Sequence, residues 1–203
     1  MKRRRIIAML SICMAVSLAG CKSKLQSLSI ADINDETFLL RSDGSVQSAA
    51  YEEFEKYYYQ QDELEEFMQD TIKSYNEQQG EEVVELTKFK VEENASGKNY
   101  ATAIFTYDSL AVYCEMNGVE AQTYTMKEAK AKGVLPTTFT MASDGSKVSQ
   151  KEVSDNEDYK VLTISIKADV YLPNTVKYYT NAMILSSNSV ETTGEDVAVI
   201  VYK

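Results

Sequence analysis

The side chains able to do chemistry are few in kind. There is no histidine anywhere in the chain, which removes Ser-His-Asp and Cys-His nucleophilic catalysis, imidazole zinc ligation and histidine pH switching. The cysteines are Cys13, Cys21 and Cys114. Cys114 lies in "AVYCEMN", where Tyr113, Glu115 and Met116 supply neither a base nor a cation. A neighbouring carboxylate disfavours the thiolate that a nucleophile needs, so Cys114 reads as a buried structural thiol. The 31 acidic residues offer many carboxylate pairs of the kind glycoside hydrolysis uses, and no spacing selects one. "SDNED" (154–158) gathers Asp155, Asn156, Glu157 and Asp158. These are hard oxygen donors suited to calcium, but the Asp-x-Asp-x-Asp-Gly spacing of a calcium loop is missing, and the segment reads as a solvated turn. "YEEFEKYYYQQDELEE" (51–66) is rich in tyrosine and acid, a composition that suits sugars, cationic peptides or a metal, and equally a strand edge running into a packed turn. Tyr57, Tyr58 and Tyr59 are its candidate binding residues. No cofactor and no metal are expected.

The chain begins with Lys2, Arg3, Arg4 and Arg5, continues with an apolar stretch from Ile6 to about Leu18, and leaves it through Ala19 and Gly20. That is the three-part pattern of a secretory signal peptide. A bilayer core of ~30 Å needs about 20 helical residues, and this stretch is shorter, so removal is expected over retention as a span. Leu18-Ala19-Gly20-Cys21 resembles the lipobox of bacterial lipoproteins, in which the cysteine sulfur is alkylated to a stable thioether and becomes the new N-terminus. Two acyl chains hold a protein on a membrane where one is marginal. The expected plan is a signal peptide at 1–20, lipidated Cys21 with a tether at 21–35, and one domain at 36–203. Cys13 leaves with the signal and Cys21 carries lipid, so Cys114 has no partner for a disulfide.

The whole chain carries a net charge of −10. Residues 1–20 hold four of the 21 basic residues and no acidic one, leaving 17 basic against 31 acidic residues, a net −14 on the mature chain. Such a surface repels nucleic acid and anionic headgroups, so no nucleic-acid partner is expected.

A domain of this length can bury its own core. "TFLLRSDGSVQSAAYEEF" (37–54) reads as a hairpin around Asp43-Gly44, and Ser-Asp-Gly-Ser recurs at 143–146 as shared turn chemistry rather than domain duplication. A long helix is expected over Asp62 to Gln79, with Asp62 and Glu65 as its cap, Gly80 as its stop, and Leu64, Phe67, Met68, Ile72 and Tyr75 as its buried stripe. "EVVELTKFKVEE" and "NYATAIFTYD" form a second hairpin joined by "NASGK". Two short helices follow, "LAVYCEMN" after Asp108 or Ser109 and "MKEAKAK" with Thr125 and Glu128 as a capping box. The remainder, "TTFTMA", "KVLTISIKADVYL", "TVKYYTNAMIL" and "VAVIVYK", is strand; of Tyr178 and Tyr179 one should be core and the other exposed. The expected class is α+β, a mainly antiparallel sheet of hairpins with one long and two short helices.

The order of the lipobox, "LLRSDGSVQSAAYEEFEKYYYQQDELEEFM", "FTYDSLAVYCEMNG" and "VKYYTNA" to "VAVIVYK" resembles uncharacterised lipoproteins of clostridial Gram-positive bacteria. The resemblance implies attachment to the cell membrane on its extracytoplasmic side through a diacylglycerol, and it brings no catalytic residues. The expectation is a non-enzymatic binding or structural role toward a protein, peptide or wall polymer. The alternative is a small carboxylate-dependent envelope hydrolase.

Overall fold

Asp43 and Gly44 form the tip of a hairpin between β1 (Thr37–Leu40) and β2 (Val46–Glu53). Gly44 takes φ 92°, and Asp43 Oδ1 accepts the Ser45 N–H at 3.0 Å. At 143–146 the same device recurs: Asp144 Oδ1 accepts the Ser146 N–H at 2.9 Å. A short acidic side chain closing on the backbone two residues later makes a turn in either context. The computed structural model describes residues 27–56, 59–93 and 95–203. The expected signal segment, Cys21, Tyr57 and Tyr58 lie outside the described residues.

The chain continues through α1 (Gln61–Gln79), β3 (Val84–Glu93), β4 (Asn99–Tyr107), α2 (Leu110–Asn117), β5 (Ala121–Thr125), α3 (Met126–Lys132), β6 (Thr138–Met141) and β7 (Lys147–Ser149). Then come α4 (Gln150–Ser154), β8 (Lys160–Ile164), β9 (Lys167–Tyr171), β10 (Val176–Thr180), β11 (Ala182–Ser186), β12 (Ser189–Thr193) and β13 (Ala198–Tyr202). The class is α+β and the pairing mainly antiparallel, as expected. The strands divide between two sheets, a larger one ordered β11-β12-β9-β1-β2-β4-β3 and a smaller one ordered β5-β8-β13-β10-β6-β7. β1 and β9 pair in parallel.

Two runs that read as continuous in the sequence change sheets partway. "KVLTISIKADVYL" passes from β8 to β9 across Ser165 and Ile166, and "TVKYYTNAMIL" passes from β10 to β11 across Asn181. Asn181 takes φ 52°, a left-handed conformation that asparagine tolerates better than most residues, and its Nδ2 donates to Val197 O at 2.9 Å. Strands that bend from one sheet into another make the corners of such sandwiches.

The main core lies between the sheets. Phe38, Leu40, Val46, Tyr107 and Val170 of the larger sheet meet Leu162, Ile164, Val176, Ile200 and Tyr202 of the smaller one. A second cluster covers the far face of the smaller sheet, with Met126 and Ala129 of α3 and Val153 of α4 over Phe139, Val161, Val199 and Val201. β13 is therefore buried on both faces, which is why "AVIVY" is an unbroken apolar run. Tyr178 and Tyr179 share this situation. Neither is fully exposed: Tyr178 packs on the outer cluster and Tyr179 on the main core.

The far face of the larger sheet is covered by residues expected in the tether. Leu28 and Ile33 pack on Leu39, Ala49 and Ile104, and the Leu28 N–H donates to Gln47 Oε1 at 2.8 Å. Buried Gln47 passes the network on from Nε2 to Thr106 Oγ1 at 2.9 Å. From Leu28 onward the chain therefore lies against the sheet.

The helices follow their stop signals more faithfully than their start signals. α1 ends at Gly80, φ 78°, as expected, but begins at Gln61 with no side-chain cap on Gln60. Asp62 already lies inside the first turn, so the expected Asp62 cap does not form. On α3 the expected box is present: the Glu128 N–H donates to Thr125 Oγ1 and the Thr125 N–H to Glu128 Oε2. Ser109, rather than Asp108, caps α2 by accepting the Val112 N–H. Among the described residues no helix is long and apolar enough to cross a membrane.

The expected α1 stripe needs one correction. Ile72 is buried and Leu64, Met68 and Tyr75 are half-buried, whereas Phe67 is 69% exposed. At about 100° per residue, Leu64, Met68, Ile72 and Tyr75 span roughly 80° of the helix circumference and Phe67 falls about 60° outside that sector.

Candidate functional site

α1 packs on β3, and the short turn joining them shapes the candidate site. Gly80 lets the helix stop by donating its N–H to Asn76 O. The chain then reverses through Glu81 and Glu82 into β3. Asn76, one turn earlier, closes the junction: its Oδ1 accepts the N–H groups of Val83 and Val84 at 3.1 and 3.0 Å, and its Nδ2 donates to Val84 O at 2.9 Å. Beside this clasp lies an open groove of about 760 Å3. Ile72, Val83, Val84 and Leu86 give it an apolar floor, and Glu77, Glu81, Glu82, Glu85 and Asp108 an acidic rim, with Lys73 as the cation on its lining. No ion pair found among the described residues involves these five carboxylates.

The tyrosine-rich stretch is arranged differently. Its first residues finish β2, and Tyr51 stacks on Tyr100 of β4 with ring centroids 4.4 Å apart and planes within 5°. Phe54 continues the pairing by donating its N–H to Asn99 O at 2.8 Å, and the Tyr59 ring lies 5.1 Å from the Phe54 ring. Lys98 pairs with Glu53 at 3.0 Å, and Glu55 accepts the Asn99 N–H at 2.5 Å. Tyr51, Glu53, Phe54 and Glu55 of this stretch thus engage β4 or the lysine just before it. Tyr59 is the candidate tyrosine the structure describes, and it is 40% exposed.

Cys114 is half-buried rather than enclosed. Its Sγ donates to Ala121 O at 3.4 Å, and burial pushes the thiol above its ordinary range, with that hydrogen bond acting against the shift. In "SDNED", Asp155 pairs with Lys151 at 3.3 Å and Asp158 with Lys203 at 2.6 Å; the lysine holds the Asp158 carboxyl below the usual range. Among the described residues no three histidine, cysteine, aspartate or glutamate side chains gather to hold a metal ion.

Acidic side chains also meet on the outer face of the larger sheet. Asp169 of β9 lies directly opposite Glu191 of β12. Burial first, then Glu191 and Asp35, push the Asp169 carboxyl up. Glu36, whose Oε1 accepts the Tyr51 N–H at 3.2 Å, is pushed up mainly by burial. These groups lie apart from the groove.

The groove escapes sequence reasoning because its carboxylates come from α1, the following turn, β3 and the residue after β4. The visible signal is "GEEVVE" (80–85), a helix stop followed at once by paired acids and paired valines. No protein-family model matches the chain, and no curated protein or solved structure compared with it is a match.

Proposed function

We propose that this protein is a lipid-anchored lipoprotein of the extracytoplasmic membrane face whose α+β domain binds a ligand and does no catalysis. The observation that carries the binding reading is the α1–β3 groove, in which unneutralised carboxylates lie open to solvent above an apolar floor that belongs to the filled core. The anchor reading rests on the lipobox-like Leu18-Ala19-Gly20-Cys21. Six residues separate Cys21 from Leu28, which is seated on the larger sheet. At ~3.5 Å per extended residue the seven steps from Cys21 to Leu28 span at most about 25 Å, so a diacylglycerol on Cys21 would hold the domain close to the headgroups while its negative charge opposes close approach.

Detergent phase partitioning of the wild type against Cys21→Ala tests the anchor. The wild type should enter the detergent phase and the variant the aqueous phase; equal partitioning would overturn the anchor. Cross-linking from intact cells with the anchor in place tests the binding role, and an adduct lost on substituting the groove carboxylates is the expected result.

A further inference from the structure

We infer that the α1–β3 groove takes an extended basic peptide segment bearing apolar side chains, laid along the free edge of β3. This rests on the reading of the protein as a binding module and names the chemistry of its ligand.

Charge selects the sign. Among the described residues of the lining, Glu77, Glu81, Glu82, Glu85 and Asp108 face one lysine, Lys73. Bringing an anion into that rim adds like-charge repulsion at the cost of desolvation, whereas a cation gains attraction wherever it sits. A second copy of this chain, itself at net −10, is disfavoured as an occupant for the same reason.

The floor adds one apolar contact. Ile72, Val83 and Val84 are 7%, 6% and 4% exposed and already buried in the main core, so half-buried Leu86 is the apolar side chain of the lining that a ligand covers. Among the described residues no aromatic ring lines the groove, and these offer a sugar polymer no stacking platform.

The backbone selects the conformation. β3 ends the larger sheet and pairs with β4 on one side, which leaves the opposite row of N–H and C=O groups to solvent. Asn76 satisfies that row at Val84 with a donor and an acceptor, as the backbone of a neighbouring strand would. Beyond Val84 the row continues, and an extended peptide adds to such an edge by main-chain pairing while alternate side chains reach the floor.

The test is fluorescence anisotropy of the full chain in a non-ionic detergent. The probes are a short labelled peptide of alternating lysine and valine, its glutamate counterpart, and a lysine-valine peptide N-methylated at alternate backbone nitrogens. The lysine peptide should bind, more weakly as salt rises, and the other two should not. Glu81→Gln/Glu82→Gln/Glu85→Gln should weaken binding about tenfold. Glu157→Gln/Glu195→Gln/Asp196→Asn, which removes the same charge from exposed positions elsewhere, should change it less than about twofold. No binding by the wild type, equal losses in the two triple variants, or undiminished binding of the N-methylated peptide would overturn the proposal. None of these results touches Cys21, and a failed titration leaves the cross-linking test of a binding role standing.

Discussion

Asn76 and Val84 exchange two hydrogen bonds: Asn76 Nδ2 donates to Val84 O at 2.9 Å, and the Val84 N–H donates to Asn76 Oδ1 at 3.0 Å. A carboxamide offers the same donor and acceptor as a peptide unit, so the side chain occupies the place of a neighbouring strand. The Val83 N–H adds a third bond at 3.1 Å. Asn76→Ala leaves these partly buried backbone groups to find water or go unpaired, and should cost about 1 to 3 kcal/mol in a denaturant titration. A loss of only a few tenths would mean that the helix and β3 are held by apolar contact alone.

Ile72 should keep the core role that the sequence pattern assigns to it and to Phe67 alike, and Phe67 should not. Ile72 is 7% exposed within the main core, and Phe67 is 69% exposed. Ile72→Ala should lower stability by about 2 kcal/mol or more, while Phe67→Ala should stay within about 0.5 kcal/mol. Equal effects would reverse the assigned rotation of α1.

Phe67 also shows where reading by pattern stops. Helical spacing reports that a residue lies near an apolar sector, but the rotation of the helix about its axis is set by what it packs on, here β3. Local punctuation was legible because its physics is local: the Asp-Gly turns, the Thr125–Glu128 box and the glycine stops need only near neighbours. The short strands β5, β7 and β12 were missed, since "AQTYT", "KVS" and "SVETT" are strands by virtue of their partners. The split into two sheets was hidden for the same reason. Nothing in "LTISIKA" marks Ser165-Ile166 as a corner until Gly194 is seen against it.

Gly194 has φ 74°, and a Cβ there would stand 2.8 Å from Lys167 N and 3.1 Å from Ile166 C. These are backbone atoms at the corner from β8 to β9, so they cannot swing away as a side-chain end would. Gly44, at φ 92°, has nothing within 4 Å of its Cβ position. Gly44→Ala should therefore pay only the left-handed penalty of about 1 to 2 kcal/mol, and Gly194→Ala should lose more than that. Similar melting midpoints for the two variants would show that the corner yields.

Cys114 should behave as a hindered thiol. Its Sγ–H is engaged with Ala121 O and burial raises its pKa, so at neutral pH native protein should react with a maleimide more slowly than unfolded protein. Cys114→Ala should cost of order 1 kcal/mol, since the side chain packs partly against the main core. Reaction as fast as in the unfolded chain would show the thiol open to solvent.

Asp169, opposed by Glu191 across β9 and β12, should make the protein less stable at neutral pH than in mild acid. The Asp169 carboxyl is raised by burial and then by Glu191 and Asp35. Its folded pKa lies above its unfolded one, so its protonated form favours the fold. That advantage is complete below the unfolded value of about 4 and is lost as pH rises through the folded value. At neutral pH the ionised side chain therefore works against folding. Asp169→Asn keeps the shape, removes the charge and should raise the melting midpoint at pH 7, by a few tenths to about 1 kcal/mol in stability for one cross-strand like-charge contact. The gain should shrink as pH falls toward the ordinary carboxylate range, because the wild-type group then protonates too. A variant less stable than the wild type at pH 7, or a gain unchanged by pH, would show that Asp169 makes a favourable contact that outweighs the repulsion.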